Sequence, residues 1–230
     1  MIICGEEKRL FNEWKRHRTP FVSDGAVSEN DYQTSSPKIV FILKEVNAPN
    51  DDDWDLRKFL REGCCWQTWN NVTRWVHGIR RLPIIDERSF CRRVTKDFRR
   101  ETLKSIVAMN LKKIPGGAQT NKKVLEAVAT EDAPYIKRQY ALYDPDITIC
   151  GGDNTADYFK KAVGHEMEWE KTGSIGADGD EISWYRRKAD SEKPKYVIDY
   201  WHPAQRRRRS KDLLYILLDV IAEMNRSLDR

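Results

Sequence analysis

The sequence predicts an α/β fold: a three-layer α/β/α sandwich around a central, mainly parallel four-stranded sheet. Three observations lead there. Four short, continuously apolar runs rich in β-branched residues are spread along the chain, as strands covered on both faces tend to be. Amphipathic helical patterns lie between them, and strands separated by helices imply right-handed crossovers and parallel pairing. A length of 230 residues is that of one domain with a sizeable core. A single domain over 1–230 is therefore expected.

The elements follow in order. Residues 1–36 read as an N-terminal helix and a polar connector, "SDGAVSENDYQTSS". The first strand is "KIVFIL" (38–43). "WQTWNNVTRWVHGI" places Trp66, Trp69, Val72, Val76 and Ile79 on one helical face, at steps of three and four. "DERSFCRRVTKDFRRETL" repeats the pattern with Phe90, Val94 and Phe98 and predicts a second helix. "SIVAM" (105–109) is the next strand. "NKKVLEAVATEDAPYIKRQYALYDPD" reads as one broken helix or two short ones, interrupted at Pro134. "DITIC" (146–150) is the third strand, and "NTADYFKKAV" begins at a capping residue directly after it. Residues 165–190 have loose alternation around a Gly-rich middle, which predicts an inserted hairpin or long loop. "KYVIDY" (195–200) is the fourth strand, and the last helix buries Leu213, Leu217, Val220, Ile221 and Met224.

Hydrophobic residues make up 40% and charged residues 33%, a globular composition rather than a disordered one. The net charge of +5 suits a nucleic-acid partner without requiring one. Eight tryptophans serve either as core or as flat surfaces for bases. The five cysteines (Cys4, Cys64, Cys65, Cys91, Cys150) are scattered, and the N-terminus turns polar too soon for a signal peptide. No apolar run approaches a membrane span. These features lead us to expect a reduced, cytoplasmic protein with no membrane contact, no obligate protein partner and a monomeric state.

In open α/β sheets, ligands bind beyond the carboxyl ends of the strands. The segments found there are "KEVNAPNDD", "NLKKIPGG", "GGDNTA" and "WHPAQRRRR". Polar, acidic, glycine-rich and basic groups thus converge on one edge. In order and placement the stretches "LKEVNAP", "IVAMNL", "DPDITICGGDNTA" and "YVIDYWHPAQ" resemble the strand-end motifs of the uracil-DNA glycosylase superfamily, over roughly residues 38–220. The resemblance implies that family's fold and an enzyme that needs no cofactor. Its reaction flips a pyrimidine out of DNA and hydrolyses the N-glycosidic bond, leaving an abasic site.

The implied roles fit the chemistry. Bond cleavage builds positive charge on the sugar and negative charge on the departing base, so one group must handle water and another must donate to the base. Glu45 and Asn47 compete for the water. A carboxylate would activate it and stabilise the sugar cation, whereas an amide would only position it. Asn110 resembles the base-reading residue, its amide being both donor and acceptor; an Asn that merely turns the chain is the plainer reading. His202 resembles the donor to the leaving base. Ala204, Gln205 and Arg206 would press into the duplex, and Arg206, Arg207, Arg208 and Arg209 would hold phosphates, unless some of them are only the solvated start of the last helix. Trp66 or Trp69 would stack on the flipped base, yet both also sit on the apolar stripe. Gly151 and Gly152 let backbone approach DNA, and "PGG" at 115–117 is a turn or a further backbone contact.

Uracil-specific relatives exclude the thymine methyl with a Tyr after the first strand, and "EVNAPND" has none. Uracil and bulky 5-modified cytosines of phage DNA are both candidate substrates, with repair or anti-phage defence as the setting. Some relatives carry an iron–sulfur cluster on four cysteines; the adjacent Cys64 and Cys65 and the isolated Cys4 and Cys91 do not suggest one. Rival readings are a magnesium nuclease using Asp51, Asp52, Asp53 and Asp199, a non-catalytic nucleic-acid-binding module, and a nucleotide-binding domain using "GGDNT". The last lacks the P-loop lysine.

Overall fold

Successive residues of a strand face opposite sides of a sheet, and here both sides are buried. The computed structural model describes residues 2–47, 52–64, 66–84, 86, 90–117, 119–164, 168–177, 179–188 and 193–226. In chain order the elements are α1 (Ile2–Trp14), β1 (Val22–Ser23), β2 (Gly25–Ala26), α2 (Glu29–Gln33), β3 (Ile39–Leu43), β4 (Trp54–Asp55), α3 (Leu56–Arg61), α4 (Gln67–Ile79) and α5 (Lys96–Lys104). They continue with β5 (Ile106–Asn110), α6 (Lys122–Glu131), α7 (Ala133–Ala141), β6 (Ile147–Gly151), α8 (Thr155–Val163), β7 (Trp169–Ala177), β8 (Asp180–Arg187), β9 (Tyr196–Tyr200) and α9 (Ser210–Arg226).

The architecture is mixed α/β. The main sheet of the described residues has seven strands rather than the expected four, in the order β2-β5-β3-β6-β9-β8-β7. The pairs β5–β3, β3–β6 and β6–β9 are parallel. The additional strands are antiparallel: β2 pairs with β5 at one edge, and the β7–β8 hairpin joins β9 at the other. A separate two-stranded parallel sheet joins β1 to β4. The seventh strand was hidden in the connector because β2 is only two residues long. Ile39, Phe41 and Leu43 pack with α3, α4 and α9, while Val40 and Ile42 pack with α1, α6, α7 and α8. Each fully buried aliphatic side chain contributes roughly 1.5–3 kcal/mol, so helices on both faces hold the strands in place. No helix of the described residues is long and apolar enough to cross a membrane.

Local chemistry explains where elements differ from the sequence pattern. The helix expected through Phe90, Val94 and Phe98 begins only at Lys96, because Thr95 Oγ1 accepts from the Phe98 N–H at 3.2 Å and caps it. Upstream, Arg74 donates to the Cys91 and Arg92 carbonyls at 2.9 and 3.3 Å and holds that stretch as loop. Asn154, read as a cap, adopts a left-handed conformation (φ 62°) and makes no side-chain cap bond. The segment around Pro134 forms two short helices, with the proline in the first turn of α7.

A buried polar network ties the N-terminal segment to the sheet. Asp24 and Lys113 have fully buried side chains, and Lys113 Nζ donates to both Asp24 oxygens at 2.7 and 2.8 Å. Gln139 Nε2 bridges Asp24 (2.9 Å) to the Tyr143 hydroxyl (2.8 Å), which donates to Glu7 at 2.8 Å. Arg57 closes the chain on Glu7 at 2.8 Å. Gly25 lies against this network at φ +116°, and a Cβ there would sit 2.1 Å from Glu7 Oε1. Removing one partner of such a pair leaves an uncompensated buried charge. Asp24→Asn is therefore expected to lower unfolding free energy in urea by about 3–5 kcal/mol; a loss under about 1 kcal/mol, the scale of a surface pair, would contradict this account.

Candidate active site

The loops after the parallel strands are registered by hydrogen bonds that continue the ladder. Leu111 N–H donates to the Leu43 carbonyl (2.9 Å), Lys112 N–H to Lys44 (2.9 Å), and Gly116 N–H to Val46 (2.8 Å). Gly152 N–H does the same to Tyr200 (2.8 Å). These bonds pin residues 43–47, 110–117, 151–153 and 200–206 around one cleft of about 660 Å³. Glu45, Asn47, Trp66, Trp69, Asn110, Gly152, His202, Ala204 and Arg206 all line it. So do Lys44, Thr68, Gln119, Thr120 and Asp153, which the sequence reading did not single out. Lys44 follows β3 directly and Asp153 lies two residues after β6, so the rule that found their neighbours could have found them.

His202 is positioned by its own turn. The Ala204 N–H donates to Nδ1 at 3.1 Å, and the Gln205 N–H donates to the His202 carbonyl at 2.9 Å. With Nδ1 accepting, the neutral ring carries its proton on Nε2 and can donate from there. Burial, and then the Lys44 ammonium, pushes the His202 pKa below its ordinary value. Asn71, buried on α4, fixes the loop from behind by donating to the Pro203 carbonyl at 2.6 Å.

Asn110 ends β5, and its side chain is held from below. Its backbone N–H and its Nδ2 donate to Asp24 Oδ2 at 2.7 and 3.2 Å. Its buried Oδ1 has no partner among the described residues. The amide is thus oriented, with an acceptor and a second Nδ2 proton left over.

Glu45 and Asn47 differ more than the sequence suggested. The Glu45 side chain is 6% exposed, and its Oε2 pairs with Lys112 Nζ. Its carboxylate occupies the space that a Cβ at Gly116 would need, 2.1 Å from Glu45 Cδ. The "PGG" turn therefore makes room for an acid, a role its sequence did not reveal. Asn47 is exposed at the rim, with its backbone bridged to Gly116.

Other candidates are sorted by contact. Trp69 is 3% exposed and belongs to the core, whereas Trp66 is 43% exposed, at the cap of α4, with its ring 4.9 Å from that of Phe59. Gly151 does not line the cleft: it lets Leu43 and Pro203 pack closely, at 2.9 and 3.2 Å from a would-be Cβ. The arginines divide. Arg208 pairs with Asp180 at 3.0 Å and lies 3.9 Å over the Trp201 ring, and Arg209 pairs with Asp212 at 2.8 Å. Arg206 and Arg207 are exposed and make no ion pair among the described residues. Gln205 accepts from the Arg207 N–H at 2.9 Å and stiffens the turn.

The acids of the nuclease reading do not converge. Asp53 bonds Lys15 and the Phe21 N–H at 2.9 and 2.8 Å. Asp199 lies among Asp157, Lys160 and Asp153, its pKa pushed up to about 6, chiefly by burial. Asp51 lies outside the described residues, as does Cys65. Among the described residues no three His, Cys, Asp or Glu side chains gather as a metal site would require. In comparisons with known proteins, no family model and no curated protein matches the chain.

Proposed function

We propose that the protein is a DNA glycosylase of the uracil-DNA glycosylase type, acting on a flipped pyrimidine. The observation that carries this reading is the convergence of Asn110, His202, Glu45, Asn47 and Trp66 on one cleft at the carboxyl ends of the parallel strands. The order β5-β3-β6-β9, parallel throughout and covered by helices on both faces, is also what that resemblance leads one to expect.

In this reading Trp66 stacks on the base and Asn110 pairs with its edge through Oδ1 and the spare Nδ2 proton. His202 donates from Nε2 as negative charge develops on the departing base. Glu45, paired with Lys112, faces the sugar cation and orients water with its remaining oxygen. Asn47, at the rim, positions that water from outside. Arg206 and Arg207 hold the flanking phosphates. A cleft of about 660 Å³ lies within the roughly 300–1,000 Å³ range of sites that take drug-sized ligands. It therefore has room for a base with a bulky 5-substituent, which supports modified cytosine as substrate alongside uracil.

End-labelled DNA carrying normal, deaminated or 5-modified bases tests the activity. With excess EDTA present, breaks at one base type are expected after alkali treatment, which opens every abasic site. Glu45→Gln should slow base release by about 10²–10⁴-fold, and His202→Ala by about 10²–10³-fold, with DNA binding nearly unchanged. Magnesium-dependent cutting that needs no alkali would favour the nuclease instead.

Because His202 acts as a neutral donor with a depressed pKa, the single-turnover rate should stay level as pH falls from 8 through about 6.5, the ordinary histidine value. It should decline only below that, as the ring charges. A decline centred at or above the ordinary value counts against this role.

The arginines give a third expectation. Arg206→Ala and Arg207→Ala should each weaken DNA binding and reduce the salt slope by about one. Arg209→Ala, already paired with Asp212, should leave the slope in place. Equal effects at all three positions would refute the division.

A further inference from the structure

Base excision gives the Lys44 amine no step of its own. Lys44 follows β3 directly and lines the cleft beside His202. Its chain passes over Gly152: a Cβ at that glycine would lie 3.5 Å from Lys44 Cε, 3.6 Å from Nζ and 3.3 Å from the His202 Cβ. Amine and imidazole thus flank one glycine. Lys112, close by, is bound to Glu45, whereas Lys44 Nζ makes no hydrogen bond or ion pair among the described residues. Asp153 lines the same cleft near it. Burial lowers the Lys44 pKa, and Lys122 adds to this against the opposing pull of Asp153 and Glu45. An amine in such surroundings has the character of a Schiff-base lysine.

We propose that Lys44 gives the protein a second activity, cleavage of the DNA strand at the abasic site through an imine. The inference rests on the glycosylase reading for the origin of that site. The unprotonated Nζ attacks the C1′ aldehyde of the ring-opened sugar, and a proton from solvent lets the carbinolamine hydroxyl leave as water, forming the iminium. Asp153 takes a C2′ proton, giving the enamine. The enamine electrons then form the C2′=C3′ bond, and the C3′–O bond breaks with its pair leaving on the phosphate. Water hydrolyses the conjugated imine, freeing Lys44 and an unsaturated aldehyde. No oxidant or reductant is consumed.

The test uses the full chain and an oligonucleotide whose abasic site is made beforehand, so base release is not needed. With borohydride present, a covalent protein–DNA adduct is expected, and peptide mass spectrometry should place it on Lys44. Without borohydride, the strand should break on the 3′ side of the site at neutral pH. Lys44→Arg keeps the charge but cannot form the imine, and should abolish both. The proposal is overturned if the wild-type protein gives no adduct, if the adduct maps to Lys112 or Lys122, or if Lys44→Arg traps as well as wild type. Base release from intact modified DNA, scored separately by alkali treatment, reports on the glycosylase reading alone.

Discussion

The Asp24–Lys113 pair is the interaction on which the site depends. Both side chains are fully buried, and two buried charges stabilise a fold only when geometry and further hydrogen bonds compensate their lost hydration. Here the compensation is extensive. Lys113 donates to both carboxylate oxygens and to the Asn110 carbonyl, at 2.7 to 2.8 Å, and its ammonium lies 5.0 Å from the Trp14 ring. Asp24 in turn accepts from the Asn110 backbone, the Asn110 side chain and Gln139. The pair that seals β2 to β5 is thereby the one that orients the Asn110 amide. The same carboxylate serves stability and the orientation of Asn110, so a change at Asp24 cannot be confined to one of them.

The rest of the cleft follows from ladder bonds that run past the strands. Because Lys112 N–H bonds the Lys44 carbonyl, the side chains of Glu45 and Lys112 meet where the two loops leave the sheet. Gly116 then returns beneath them, its N–H on Val46 and its missing side chain replaced by the Glu45 carboxylate. On the far side, Gly152 bonds Tyr200 and so brings the turn after β6 against His202. The candidates come from four separate stretches of chain, and these backbone bonds hold the loops after β3, β5, β6 and β9 in register around the cleft.

Much of this was legible in the sequence, for identifiable reasons. The four doubly covered strands announce themselves as continuous apolar runs, and the rule that ligands gather at their carboxyl ends found Glu45, Asn110 and His202. What escaped was written without hydrophobic contrast. β2 occupies two residues of a polar connector. Most of β7 and the start of β8 are exposed, so residues 165–190 could be read as a hairpin or long loop but not as strands that extend the main sheet. The Asp24–Lys113 pair joins residues 89 positions apart, and nothing local marks either as buried. Lys44 and Asp153 lie in the strand-end stretches, but the resemblance assigns neither of them a role. Phe90 and Val94 misled because helical spacing alone cannot report that Thr95 would cap the helix later.

The arginine run shows how one stretch of sequence serves two purposes. Arg208 stacks on Trp201 and pairs with Asp180, and Trp201 Nε1 donates to the same carboxylate at 3.0 Å. This clamps the β7–β8 hairpin to the loop after β9. Arg209 turns back to Asp212 in the first turn of α9. With those two committed, the loop between His202 and α9 has both ends fixed, and Arg206 and Arg207 project from a rigid turn rather than from a mobile tail. A cation presented that way loses little entropy on meeting a phosphate. The floor of the cleft is of mixed sign, with Lys44 and Lys112 set against Glu45 and Asp153. On the proposed glycosylase reading, long-range attraction would reside at the rim, and the interior would discriminate by shape, by the Asn110 amide and by the proton on His202.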